Sequence, residues 1–342
     1  MNYERVFTPL DLELAESLAS FLPQRIYDIH AHFYHAAHDP HRKWANLLPG
    51  EMRLGQREWR EALARNPAFC GKQVSGLFFG AVARGSIMTE MNTFIREEVD
   101  ALDDPLSQAL LVATPDCDQA SVQTALREGR YKGIKVYHCY AAREDTMNAE
   151  IAEYMPEWMW AAVDEAGGVM MLHLVLPTAV ADRRNQRDIR RLCEKYPRVK
   201  LILAHAARCF SHRHAVGMAA VSDLPNVYVD TSVVCESRSL LDALRQFGPR
   251  RVMYGSDFFV SEMRGRCVTL GSGFHWIYGR EVDEAVRGKM TLIGNEALLA
   301  LREALEEFGA TERDVNDLFW NNALRCLDLE ESGISSPVAE GH

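Results

Sequence analysis

The chain has 342 residues, 47% of them hydrophobic and 25% charged, an ordinary globular composition that excludes a collagen-like, low-complexity or disordered protein. Its 38 Lys and Arg against 48 Asp and Glu leave a net charge of −10 spread along the chain, without the clustered basic surface that nucleic acid or an anionic membrane requires. The longest apolar stretch, residues 169–176, is far short of a membrane span and contains His173. The eight cysteines form no C-x-x-C pair, and the first twenty residues lack the basic start and apolar run of a signal peptide. These features point to a cytoplasmic protein with reduced thiols that acts on a small molecule.

Past an N-terminal extension, short apolar runs alternate with longer polar-faced segments. The runs predict strands over Arg25–His30, Val74–Val82, Ala109–Ala113, Gly133–Tyr137, Val169–Leu174, Lys200–His205, Val227–Thr231 and Val252–Ser256. Several are nearly continuous hydrophobic stretches, as strands buried on both faces of a parallel sheet must be. Helical segments are predicted between them over Met91–Leu102, Cys117–Glu128, Ala149–Ala166, Arg184–Tyr196 and Ser237–Phe247, with two more at the end, Val282–Phe308 and Glu312–Leu327. Eight strand–helix alternations are the pattern of a (β/α)8 TIM barrel. The reading is one α/β domain over residues 1–342, with its core at about 25–328, a long loop after the first strand and a flexible tail over 329–342. A doubly wound nucleotide fold lacks its glycine-rich fingerprints here.

The first strand, IYDIHAHFYH, holds His30 and His32 one residue apart, so both imidazoles share a strand face. With 12 histidines in 342 residues, chance alone gives roughly 0.4 such H-x-H pairs. A second pair, His212 and His214, is expected to be solvated surface. His30 and His32 gain weight from company. His173 ends the fifth predicted strand, His205 the sixth and Asp257 the eighth, and Lys135 lies near the end of the fourth. Barrel sites form where strands end, so these side chains converge on one rim. Imidazoles plus a carboxylate suit a divalent ion, Zn2+ foremost, with Mn2+ as an alternative.

At these positions the sequence resembles the amidohydrolase superfamily, and within it the amidohydrolase-related (amidohydrolase 2) branch of metal-dependent TIM-barrel enzymes, which includes hydrolases and decarboxylases. The matching stretches are DIHAH, GIKVY, MLH, LILAH, YGSDF and LFWNNALRCL, in order across nearly the whole chain. The resemblance implies that His30, His32, His173 and Asp257 surround a metal. It gives His205 a role either at a second metal or as an acid/base, and Lys135 one as a carboxylated bridge between two ions or as a positive charge that orients substrate. One or two ions per chain are therefore expected. The implied activity is hydrolysis of an amide, lactone or ester through a metal-activated water, with Asp257 as general base and then acid and His205 steadying the oxyanion. The alternative on the same site is decarboxylation of a small carboxylic acid. Some decarboxylase relatives carry a carboxylate at the first position of H-x-H, so His30 leans toward hydrolysis. A metal-free aldolase using Lys135 as a Schiff-base amine, and an inactive scaffold, are the remaining readings.

Arg208, Arg264, Arg266 and Arg84 follow predicted strand ends, and guanidinium forks suit carboxylates. With Tyr137 they are the candidate substrate-binding residues. The loop after the first strand holds His35, His38 and His41 and reads as a lid or subunit contact, which favours a homodimer or larger assembly.

Overall fold

The structure is a computed structural model that describes residues 7–42, 44 and 52–330. Each of the eight predicted strands forms. β1 is Arg25–His35, β2 Gln73–Gly80, and β3 runs in two pieces, Gln108–Ala109 and Leu111–Val112. Then come β4 Gly133–Lys135, β5 Val169–Leu172, β6 Lys200–Leu203, β7 Val227–Asp230 and β8 Val252–Met253. Neighbours pair in parallel from β1 to β2 to the first piece of β3, and from its second piece through β4, β5, β6 and β7 to β8. The ring closes between β8 and β1: the Ile29 N–H donates to Tyr254 O (3.0 Å), the Asp257 N–H to His30 O (2.7 Å) and the His32 N–H to Phe258 O (2.7 Å). Strand and helix alternate around this ring as the apolar runs demand, giving an α/β barrel.

Strand spacing is set partly by glycine. A β-carbon at Gly133 would lie 1.8 Å from Val169 O, so β4 and β5 come together at a residue with no side chain. Helix boundaries differ from the sequence reading where proline or glycine intervenes. The single helix predicted over Ala149–Ala166 is two, Ile151–Tyr154 and Glu157–Ala166, because Pro156 cannot continue the first. Val282–Phe308 likewise divides into Glu284–Arg287 and Ile293–Phe308, the first stopping at Gly288. The predicted helix Glu312–Leu327 contains a π turn at Asp317–Asn321.

The N-terminal extension forms a helix, Pro9–Ala19, started by a Thr8–Asp11 capping box with Pro9 in its first turn. After β8 a hairpin, β9 Gly265–Leu270 and β10 Gly273–Tyr278, folds over the barrel mouth. Within the predicted lid, the helix Gln56–Arg65 and a two-residue strand Arg53–Leu54 paired to β1 are seen; residues 43 and 45–51 lie outside the described residues, as does 331–342 of the predicted tail. Among the described residues, no helix is long and apolar enough to cross a membrane.

Candidate metal centre

Alternation along β1 sends His30 and His32 into the mouth, and the strand ends bring His205 and Asp257 against them. A ring nitrogen of His30, one of His205 and an oxygen of Asp257 all lie within 4.8 Å of one another. His32 Nε2 is 2.9 Å and His30 Nε2 3.5 Å from Asp257 Oδ1. His173 packs beside His205, with 4.9 Å between ring centroids. Lys135 is buried nearby, its ammonium 4.5 Å over the Phe79 ring.

The hydrogen bonds on the far side of each ring fix where its proton sits. His30 Nδ1 faces Asp230 Oδ2 at 2.9 Å, an acceptor when ionised, so Nδ1 carries the hydrogen. Ser232 Oγ donates to Asp230 Oδ1 (2.5 Å), and His205 Nδ1 faces the Ser232 carbonyl (3.0 Å) and hydroxyl oxygen (2.9 Å), so it too is the protonated nitrogen. Tyr137 donates its proton to Gly80 O (2.5 Å), leaving its oxygen to accept from His32 Nδ1 at 3.3 Å. Each of these three imidazoles therefore carries a bare lone pair on Nε2.

Lone pairs directed at a carboxylate repel unless a proton or cation lies between them. A proton is disfavoured at His30: burial, and then the charge of Lys135, lower its pKa to about 3. Burial lowers His32 as well. Asp257 is held below the usual carboxylate range, against the burial that would raise it, only when positive charge lies between it and the facing His32, His30 and His205, which is the place a bound cation would take. The donor set of imidazole nitrogens and one carboxylate fits a divalent ion such as zinc or manganese. Burial also lowers Lys135, to about 8, against the opposing pull of Asp230 and Asp257.

A family model described as amidohydrolase matches residues 27–329. The chain belongs to the amidohydrolase family. This family of barrel enzymes is metal-dependent, as the donor set here would lead one to expect. No curated protein matches the sequence. Among solved structures, an amidohydrolase from Burkholderia multivorans with bound HEPES superimposes with a TM-score of 0.60 at 16% identity, covering 89% of this chain and 99% of that one. A second crystal form of it contains bound zinc. 2,6-Dihydroxybenzoate decarboxylase aligns at a TM-score of 0.55 and 14% identity, covering 90% of this chain and 100% of that one. 4-Oxalomesaconate hydratase from Rhodopseudomonas palustris aligns at 0.55 and 13%, covering 89% and 95%. At such identities the likeness concerns the fold, and the family spans several reactions.

Beside the histidines lies a turn of unusual backbone. His205, Ala206, Ala207 and Arg208 all have left-handed φ, at 58°, 49°, 59° and 59°. At about 1–2 kcal/mol per residue, such a turn costs on the order of 4–8 kcal/mol and must be held by its surroundings. It is held at both ends: the His205 N–H donates to Asp230 Oδ1 (2.9 Å), and Arg208 Nη1 donates to the carbonyls of Val175 and Leu176 (3.1 Å each). The buried guanidinium lies 5.1 Å from the Phe274 ring centroid of the hairpin, with no carboxylate within ion-pair distance among the described residues. Phe210 stacks on His205 (5.1 Å) and meets Phe274 and Trp276, so the hairpin forms an aromatic roof.

The other candidate substrate residues are placed differently. Arg264 is not brought to the mouth: it is bound to the buried carboxylate of Asp11 in the N-terminal helix, because the chain folds that helix against the base of the hairpin. Arg266 pairs with Glu296 and the Cys235 carbonyl, and Arg84 donates to the Ala141 and Arg143 carbonyls. Tyr137 sits behind His32. The surface reading of the second histidine pair is corrected for His214, which is buried and bonds Ser272 O in the hairpin turn at 2.8 Å. His35 and His38 stack at 5.1 Å against Phe94 and belong to no three-ligand group among the described residues. Sequence reasoning passed over Asp230 and Ser232, although Asp230 ends the seventh strand and the strand-end logic that singled out Asp257 applies to it equally.

Proposed function

We propose that this protein is a metal-dependent hydrolase that cleaves an amide, lactone or ester of a small carboxylate-bearing substrate. The observation that carries this reading is the convergence of the His30, His32 and His205 Nε2 lone pairs on Asp257, with the buried Arg208 on the same turn as His205. His30, His32, His205 and Asp257 would hold a divalent ion, with His173 at the edge of the set. Such an ion supplies Lewis acidity, acidifying water and polarising a carbonyl oxygen.

The chain's own residues then do the rest. Asp257, ionised at neutral pH, accepts a proton from the attacking water and returns it to the leaving group. Arg208 takes the substrate carboxylate, with the aromatic roof covering its apolar body. Charge supports an anionic substrate. Asp230 and Asp257 balance Lys135 and Arg208, so a divalent ion would leave a positive excess in a buried site. The histidine at the first position of H-x-H favours hydrolysis over decarboxylation.

The test begins with metal content of untagged protein purified without chelator, in the wild type and in His30→Ala. The wild type is expected to hold one or two ions per chain, and the variant far fewer. Zinc-loaded protein is then incubated in 18O-water with a panel of small carboxylate amides, lactones and esters. Incorporation of 18O into product supports hydrolysis. CO2 release from carboxylic acids without such incorporation would replace it with decarboxylation. A Lys135 adduct trapped by borohydride would point instead to the aldolase reading.

A further inference from the structure

We infer that Asp230 is the positioning residue of this site: its one carboxylate fixes the His30 tautomer through Oδ2 and pins the left-handed turn carrying His205 and Arg208 through Oδ1. The inference rests on the metal-centre reading above and adds to it a residue that contacts neither ion nor substrate.

The division of labour between the two oxygens is complete. Oδ1 accepts from the His205 N–H (2.9 Å), the Ser232 N–H (3.1 Å) and the Ser232 hydroxyl (2.5 Å). Oδ2 faces His30 Nδ1 at 2.9 Å. Asp230 is fully buried at the end of β7, between β6, which leads into the turn, and β8, which pairs with β1 at the mouth. Its carboxylate is closed off from bulk solvent. A carboxylate behind a ligating histidine orients the ring and raises its basicity, and loss of such a partner costs roughly 10–100-fold in metal affinity. Here the same group also holds a backbone turn that would otherwise relax to right-handed geometry.

Ser232 extends the arrangement. Its hydroxyl donates to Asp230, and its oxygens receive the His205 Nδ1 hydrogen. The carboxylate and its serine therefore set the proton on both His30 and His205, and both Nε2 atoms are left free for one ion.

Asparagine at 230 separates the two functions. Three donors converge on the Oδ1 position, so the amide oxygen takes that place and the turn keeps its anchor. The NH2 group then faces His30 Nδ1, which becomes an acceptor, and the hydrogen moves to Nε2 where it blocks the ligand lone pair. The experiment compares wild type, Asp230→Asn and Ser232→Ala as apo proteins with 15N-labelled histidine. Long-range 1H–15N spectra read the tautomer, Zn2+ titration against a chromophoric chelator reads affinity, and thermal melting of the apo chain reads the fold.

The expected result is His30 protonated on Nδ1 in the wild type and on Nε2 in Asp230→Asn. The Asn variant should bind zinc about 10–100-fold more weakly while remaining folded. Ser232→Ala is expected to shift the His205 resonances and leave His30 on Nδ1. A folded Asp230→Asn that keeps the His30 tautomer and binds zinc within threefold of wild type overturns the inference. If the wild type itself binds no zinc, the metal-centre reading fails, while the tautomer spectra still decide the role of Asp230.

Discussion

Replacing Arg264 by methionine removes the guanidinium that holds Asp11 while keeping most of the side-chain volume. Asp11 is fully buried and accepts from Arg264 Nη1 and Nη2 (3.0 and 2.5 Å), the Thr8 N–H (2.7 Å), the Thr8 hydroxyl (2.8 Å) and the Thr291 hydroxyl (2.7 Å). Removing one partner of a buried pair typically costs ~3–5 kcal/mol. Three neutral donors remain, so the lower end, about 3 kcal/mol, is expected. An unfolding entropy of about 2.1 cal/mol/K per residue gives roughly 0.7 kcal/mol/K for a chain of this length unfolding as a unit, and hence a melting temperature lower by about 4 °C. Calorimetry on Arg264→Met, Asp11→Asn and the double variant measures this, and the double variant should recover part of the loss because no charge stays buried. Zinc content should match wild type throughout. An unmoved melting temperature together with weakened substrate binding would refute this reasoning and return Arg264 to the active site.

The pH dependence of the same pair follows from its sign. Burial would raise the Asp11 carboxyl, but Arg264, Thr8 and Thr291 outweigh it and hold it below the usual range. Its stabilisation is therefore present above the unfolded carboxylate pKa of about 4 and lost as pH falls through the lower folded value; the gap between wild type and Asp11→Asn in urea melts should be full at pH 7 and shrink below pH 4. Arg208→Met should raise KM for a carboxylate substrate about 10–100-fold in zinc-loaded protein, the worth of a charged hydrogen bond; an unaltered KM would remove Arg208 from the substrate. Gly133→Ala places a β-carbon 1.8 Å from Val169 O and should cost 3 kcal/mol or more, roughly a strongly overpacked core; a melting temperature equal to wild type would show that β4 and β5 do not approach so closely. Ala206→Gly should stay within about 1 kcal/mol of wild type, since relief of left-handed strain offsets the lost methyl and the extra chain entropy. Ala206→Val should be far worse, and thermal melts giving the reverse order would contradict the turn.

The barrel was legible because its signal is local and repeated: each buried parallel strand is a short apolar run, and β1 through β8 fall where those runs lie. The histidines at strand ends were legible for the same reason, since a strand's end fixes which rim a side chain reaches. Arg264 was misplaced because its partner Asp11 stands 253 residues earlier, and no spacing in the sequence announces that the N-terminal helix docks there. His214 was misread because its burial depends on a hairpin more than fifty residues onward. Asp230 carries no neighbouring histidine to draw notice, and its importance appears only when β6, β7 and β1 are brought together. The left-handed turn was beyond reach, because AHAAR contains neither glycine nor asparagine and reads as ordinary helix.

That turn also sets a ruler. His205 and Arg208 stand three residues apart on a single rigid stretch of backbone, anchored to β7 at one end and to the loop after β5 at the other. In the proposed reaction, the span between the reacting carbon and the substrate carboxylate is consequently fixed by main-chain geometry rather than by a sliding loop. Close relatives that differ in the hairpin roof could change the shape of the group they accept while keeping that span, and a longer substrate would require the turn itself to be rebuilt.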